Sequence, residues 1–173
     1  MAALEGPFAA ACVLLLIAGV YKLRRPEPTA GALRGVGWPS SLGLVRVVGA
    51  AELALGLAAL LTSDRAIAAL VGAAYTSFAS FVAVALRSCS PIQSCGCFGE
   101  IATPPSMTHV LTNVVAAGTA VAVAIGGLPS LADVLHEQPN EGVPFVVLVG
   151  VTVYLVYLLL TELPRARRPA RAI

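Results

Sequence analysis

Charge is scarce in this chain. Only 12% of its 173 residues are charged, against 58% hydrophobic, and mean hydropathy is +0.87. A soluble domain carries about twice that share of charge, so a water-soluble globular fold is a poor fit. Aromatics are also few, at 6% with one tryptophan, and net charge is only +2. The basic residues sit beside apolar segments and not in an aromatic-interleaved patch, which argues against nucleic acid as a partner. There is no convincing internal repeat and no glycine loop of the kind that cradles phosphate. Metal-ligand spacing is missing too. Structural zinc prefers C-x2-4-C pairs and four ligands, and the clustered cysteines number three, with His109 the nearest addition.

Long apolar runs are abundant. Five segments, about 8–23, 42–61, 66–86, 107–128 and 143–161, read as helices. Four have the length needed to cross ~30 Å of hydrocarbon at about 1.5 Å per residue. The first is shorter, with Pro7 suited to a first helical turn. The expected fold is an all-α polytopic membrane protein, a single domain of about five transmembrane helices, with a cysteine loop at 87–106 and a basic tail at 162–173. The first segment does not read as a signal peptide. Glu5 precedes it and Lys22, Arg24 and Arg25 follow, the reverse of a signal's polarity, so it reads as a retained anchor in the cell (cytoplasmic or inner) membrane.

Loop charge suggests an orientation. One set of alternate loops (1–7, 62–65, 129–142) holds Arg65 as its one basic residue. The other set (22–41, 87–106, 162–173) holds nine. Short loops rich in Lys and Arg stay in the cytoplasm, so the N-terminus is expected outside and the C-terminus inside. That places the cysteine loop on the cytoplasmic side, where thiols are normally kept reduced.

The loop contains "SCSPIQSCGCFGE", residues 88–100, with Cys89, Cys95 and Cys97 in a C-x5-C-G-C pattern. Buried cysteines often act as small apolar side chains, and that reading suits Cys12 in the first helix. In the loop, Pro91, Gly96 and Gly99 favour a tight turn over packing. Thiol–disulfide exchange suits the cluster best. Cys89 and Cys95 can approach within the ~4.4–6.8 Å Cα separation of a disulfide, whereas Cys95 and Cys97 could join only in a small strained ring. Strained, exposed disulfides exchange readily, so one pair could store oxidation state while the third thiol attacks. Which cysteine attacks stays open.

Polar groups also stand inside the apolar segments. Glu52 lies mid-helix in "VVGAAELALG", where a carboxylate must be paired or protonated and suggests function. Arg46 is on a different face and near enough to the helix end to snorkel. Thr76 and Ser77 are expected at the depth of Glu52, with Ser80 a turn nearer the loop. His109 and Asn113, spaced i, i+4, share a face. A row from Glu52 to His109 could relay protons, or these groups could simply bond helices together. Gly49 and Gly56 mark a close-packing face, and Trp38 an interface anchor. No cofactor is required by these motifs. A quinone would want a pocket lined by aromatics and a proton donor, which Phe98, His109, Phe78 and Phe81 could supply, but no specific quinone motif is present.

"GVYKL" closing the first helix, "AELALGLAALL" in the second, "CGCFG" after the third and "THVLTN" opening the fourth resemble the MauE family, the methylamine utilisation membrane proteins within the DoxX-like group. The similarity covers about residues 8–125, with C-G-C-F-G its most specific element. It implies a four-helix DoxX-like core, here with a C-terminal helix added. It further implies a protein that assists maturation of exported, disulfide-containing proteins beside a thioredoxin-like partner. In the founding case the client is the small subunit of methylamine dehydrogenase. The matching positions are Lys22, Glu52, Cys95, Cys97, Phe98, Gly99 and Asn113. The expected function is thus a membrane thiol–disulfide redox protein, the chemistry of an oxidoreductase. The alternative is a non-catalytic scaffold or transport subunit.

Overall fold

The computed structural model describes residues 4–87, 105–127, 131–137 and 142–166, with side chains to Leu163 in the last stretch. The cysteine segment with Cys89, Cys95 and Cys97 lies outside the described residues. Among the described residues seven helices follow one another: α1 (Glu5–Arg24), α2 (Glu27–Gly35), α3 (Leu42–Leu61), α4 (Arg65–Arg87), α5 (Met107–Gly126), α6 (Leu131–Glu137) and α7 (Val143–Ala166). Five of them, α1, α3, α4, α5 and α7, are long and apolar enough to cross a membrane. The chain is an all-α, multi-pass membrane protein.

The apolar runs are stopped and started by local chemistry. Ser41 caps α3, its Oγ accepting from Leu44 N–H at 3.2 Å. At the next turn Asp64 Oδ1 accepts from Ala66 N–H at 2.7 Å, supplying one of the acceptors a helix start lacks. Gly127, at φ 74°, ends α5 where a residue with a Cβ would be strained. This stops the helix at Gly126, two residues short of the expected 128. Elsewhere helices outrun hydropathy. α1 begins at Glu5 and not at 8, and α7 continues past 161 to Ala166, because polar residues propagate a helix once it has begun. The first span therefore has 20 residues, a full crossing.

Two short helices were not expected. α2 occupies the middle of the 22–41 connection, starting at Pro26 and Pro28 and carrying Glu27 in its first turn and Arg34 in its last. Proline in the first turn and charges matched to the helix dipole are start and stop signals, but nine residues are too few to establish an apolar period. It buries Ala30 and Ala32 and lies against α3.

α1 is the centre of the bundle. Its apolar stretch is 56% buried, against 33% or less in the other spans. One face joins a core of Cys12 and Leu15 with Ala59, Val71, Tyr75, Ala120 and Val123. The opposite face, Ala9, Ala10 and Leu14, packs on Val149 and Val153 of α7. The closest helix pairs are α4 with α5 and α1 with α3. Tyr75 ties the two pairs together, its buried O–H donating to the Ala11 carbonyl at 2.6 Å. The outward surfaces carry large apolar side chains such as Val47, Val115, Ile125 and Leu148, as lipid contact requires.

The α1–α3 contact depends on missing side chains. A Cβ at Gly19 would stand 2.6 Å from the Gly49 carbonyl oxygen and 2.9 Å from Leu53 N. A Cβ at Gly49 would stand 2.9 Å from the Gly19 carbonyl oxygen. Gly56 approaches the Cys12 carbonyl as closely, with 3.0 Å to an added Cβ. Gly49 and Gly56 thus form the expected close-packing face, and Gly19 is its counterpart on α1. Backbone cannot yield as a flexible side chain can, so Gly19→Ala must push the helices apart. Overpacking of this kind costs about 1–3 kcal/mol. Thermal melting in detergent should show Gly19→Ala well below wild type, while Gly118→Ala, with open space around its Cα, melts within a degree or two.

Candidate functional site: an ion pair on the wall of an apolar cavity

Where α1 and α3 meet, Lys22 Nζ donates to Glu52 Oε2 at 2.7 Å. Both side chains are buried, 8% and 5% exposed. Lys22 lies in the last turn of α1, so its long stem can lie along apolar surface while its ammonium reaches mid-bundle. Its Nζ is also 5.2 Å from the centroid of the Phe78 ring on α4, a cation–π distance. Glu52 sits eleventh of the twenty residues of α3, one turn below Gly49. The glycine contact and the ion pair are therefore neighbours. The tight approach of the backbones is what brings the carboxylate within reach of the lysine.

Glu52 is only half satisfied. Its Oε1 is buried and has no hydrogen-bond partner. A buried carboxylate oxygen without a donor is costly. Glu52 is also among the residues lining an apolar cavity of about 350 Å³. The cavity is lined by residues from α1 to α5 and by Leu160 of α7. Leu14, Leu15, Ala18 and Lys22 come from α1, Thr29 and Leu33 from α2, and Phe78 and Phe81 from α4. Trp38 precedes α3 and tilts against Phe81 at 5.7 Å between centroids.

The other expected residues fall as follows. His109 is buried at 3% exposure, with Nδ1 2.8 Å from Ser106 Oγ. Asn113 Nδ2 donates to the His109 carbonyl at 2.8 Å. Thr76, Ser77 and Ser80 donate to carbonyls of their own helix, those of Gly72, Ala73 and Thr76. Among the described residues no hydrogen bond joins these hydroxyls or His109 to Glu52. Of the aromatics expected around a quinone, Phe78 and Phe81 do line the cavity. His109 is not among its lining residues, and Phe98 lies outside the described ones. Cys12 is fully buried in the core. Among the described residues no group of three or more His, Cys, Asp or Glu is placed to hold a metal ion.

Residues 2–126 match the family described as methylamine utilisation protein MauE. The chain belongs to the MauE family. No curated protein and no solved structure matches it. The MauE match ends where α5 ends, so α6 and α7 lie beyond it. It includes Lys22 and Glu52 and the cysteine segment. The chain is thus a multi-pass membrane protein of the methylamine utilisation type.

Sequence reasoning reached Glu52 but not its partner. Arg46 was weighed on the same helix, whereas Lys22 comes from thirty residues earlier and from a cluster read as an orientation signal. The available signal was that Lys22 and Glu52 both fall on family motif positions, one acid and one base in the apolar part of the chain.

Removing one member of such a pair strands a charge and costs about 3–5 kcal/mol, whereas replacing both by apolar residues of similar volume is near neutral. Lys22→Met and Glu52→Leu alone should each lower the detergent melting temperature sharply, and Lys22→Met/Glu52→Leu should recover most of the loss. Additive losses in the double variant would show that the two side chains do not act as a pair.

Proposed function

We propose that this protein is a membrane thiol–disulfide redox protein that supports disulfide formation and maturation of exported proteins. The observation that carries the reading is the sequence C-x5-C-G-C, Cys89, Cys95 and Cys97, in the connection between α4 and α5 of a membrane bundle. Three thiols allow one pair to hold the oxidation state while the third attacks or resolves. Membership in the MauE family supports a client of the disulfide-rich, exported kind, with the small subunit of methylamine dehydrogenase as the family's own example and a thioredoxin-like protein as the intermediary. Thiol chemistry also needs a place for protons. Glu52, held beside Lys22, and His109, at the first turn of α5, are our candidates for that role.

The charge distribution favours a cytoplasmic face for the cysteine segment, with nine basic residues in the connections on that side. On that face the natural role is electron entry from a cytoplasmic thioredoxin. A membrane-impermeant maleimide applied to intact cells carrying Cys12→Ser should then label nothing, before or after reduction, and should label the loop thiols once the cells are permeabilised. Labelling from outside after reduction would reverse the orientation and make external disulfide formation the role.

The central test is Cys95→Ser/Cys97→Ser. Disulfide maturation of the co-expressed client should fall to background while the variant still inserts and accumulates. Unchanged maturation would leave the second reading, a non-catalytic scaffold or transport subunit. That reading is favoured by the buried Lys22–Glu52 pair, and it predicts that the cysteine changes are silent while Glu52→Gln disrupts assembly.

A further inference from the structure

α3 and α4 are consecutive helices joined by residues 62–64 alone, yet they share the core only near that turn. There Ala59 and Ala68 are buried together. Further from the turn α4 follows α5 and α3 follows α1, the closest pairs in the bundle. The two helices therefore part like the arms of a V. The apolar cavity of about 350 Å³ lies between the arms, with Leu44 and Val48 on one wall and Ser77 and Phe81 on the other. Leu44, Val48 and Ser77 are exposed, so the gap opens sideways onto the outer surface, where lipid lies.

Its size and walls suit a hydrocarbon chain. A dry site of ~150 Å³ encloses the six carbons of benzene, and in that proportion this one holds about fourteen. From Leu44 to Glu52 the α3 wall runs for about 12 Å, at ~1.5 Å per residue. The walls offer an occupant little to hydrogen-bond. The hydroxyls of Ser77 and Thr112 are turned to carbonyls of their own helices, and Glu52 Oε1 is enclosed by protein.

Charge stands at the mouth. Trp38, 44% exposed, tilts against Phe81 there, and tryptophan belongs at headgroup depth. Leu33, Trp38 and Pro39 all line this end of the cavity. Between and beside them are Arg34, which is exposed, and Ser40, with Arg34 Nε donating to Ser40 Oγ at 3.5 Å. A guanidinium has five N–H donors, so most of them are left for another acceptor. The 22–41 connection that supplies the mouth holds four basic residues against one acidic, Glu27. It leads at Ser41 into the N-terminus of α3, the positive end of a helix dipole.

We propose that the gap between α3 and α4 seats an anionic phospholipid, with one acyl chain in the cavity and the phosphate on Arg34 and the Ser40 hydroxyl. The groove selects the chain, and charge complementarity selects the headgroup, as in other basic pockets between transmembrane helices. A zwitterionic lipid carries its own ammonium beside the phosphate and gains less from Arg34. The seat uses no cysteine, so it stands or falls separately from the redox reading.

The chain's single tryptophan, Trp38, is on the cavity wall and reports the occupant. The full chain is reconstituted in phosphatidylcholine bilayers, with part of the lipid replaced by phosphatidylglycerol or phosphatidylcholine brominated on its chains. Bromine quenches a tryptophan that it touches. Brominated phosphatidylglycerol should quench Trp38 at a mole fraction about fivefold below brominated phosphatidylcholine, the attraction expected of one basic side chain. Arg34→Gln should bring the two curves together. Val48→Phe, which fills the cavity from an exposed position, should also remove most of the preference although Arg34 remains. Soluble glycerol phosphate, the charge without the chain, should displace nothing.

Equal quenching by the two brominated lipids in the unsubstituted chain would overturn the proposal without recourse to any variant. A preference that outlasts Arg34→Gln would remove the headgroup contact and the proposal with it. A preference that outlasts Val48→Phe would mean that anionic lipid gathers on surface charge alone, with no chain in the groove. Displacement by glycerol phosphate would leave a bare anion site and equally sink the lipid seat.

Discussion

The closeness of α1 and α3 is the constraint from which the site follows. Two glycines facing each other's backbone, Gly19 and Gly49, let the helices approach until a single added carbon would collide with a carbonyl oxygen. In a bilayer there is little hydrophobic drive between helices, so close packing and interhelical polar contacts must supply the association. Here both are adjacent. The glycines set the separation, and at the same level the Lys22 and Glu52 side chains, each packed beside the facing glycine, meet in the ion pair. A wider crossing would leave a carboxylate alone at mid-depth, which is costly enough to be rare.

The same arrangement explains why the bundle has a cavity. α1 is drawn tightly to α3, and α4 is paired with α5. Tyr75 fastens the two pairs through a hydrogen bond to the α1 backbone, near the level where the glycine contact begins. On one side of that fastening the core fills with small residues such as Ala59, Ala68 and Ala120. On the other side the pairs are held apart by aromatic rings, and α2 closes part of the gap with Thr29 and Leu33. A short amphipathic helix in a loop thereby becomes part of the wall, and the ion pair lies beside an apolar pocket between the helices.

Much of this was readable from residues alone, though unevenly. The five spans follow from hydropathy and length, and α3 occupies the expected 42–61 because Ser41 caps it where its apolar run begins. Boundaries at α1 and α7 slipped, since a helix does not end where its hydropathy does. Glu52 stood out because an acid in hydrocarbon is always expensive. Lys22 did not, because a lysine at a helix end has a cheaper explanation in orientation and snorkelling. Gly49 and Gly56 gave a face but not its partner. Spacing within one helix does not say which other helix comes to meet it. α2 and the cavity it helps to close depend on tertiary contacts that no local period encodes.

α7 differs from the other spans. It lies beyond the stretch matched to the family, rests chiefly on α1 and faces outward over most of its surface, with only 17% of its apolar stretch buried. Four crossings return a chain to the face on which it started, and a fifth sends it back. A relative ending after α5 would have both termini on one face. Here the last crossing ends on the opposite face, the one where α4 ends and α5 begins. A last helix that rests chiefly on α1, with a smaller contact to α5, can thus change which face the chain ends on while the ion pair at the centre stays between α1 and α3.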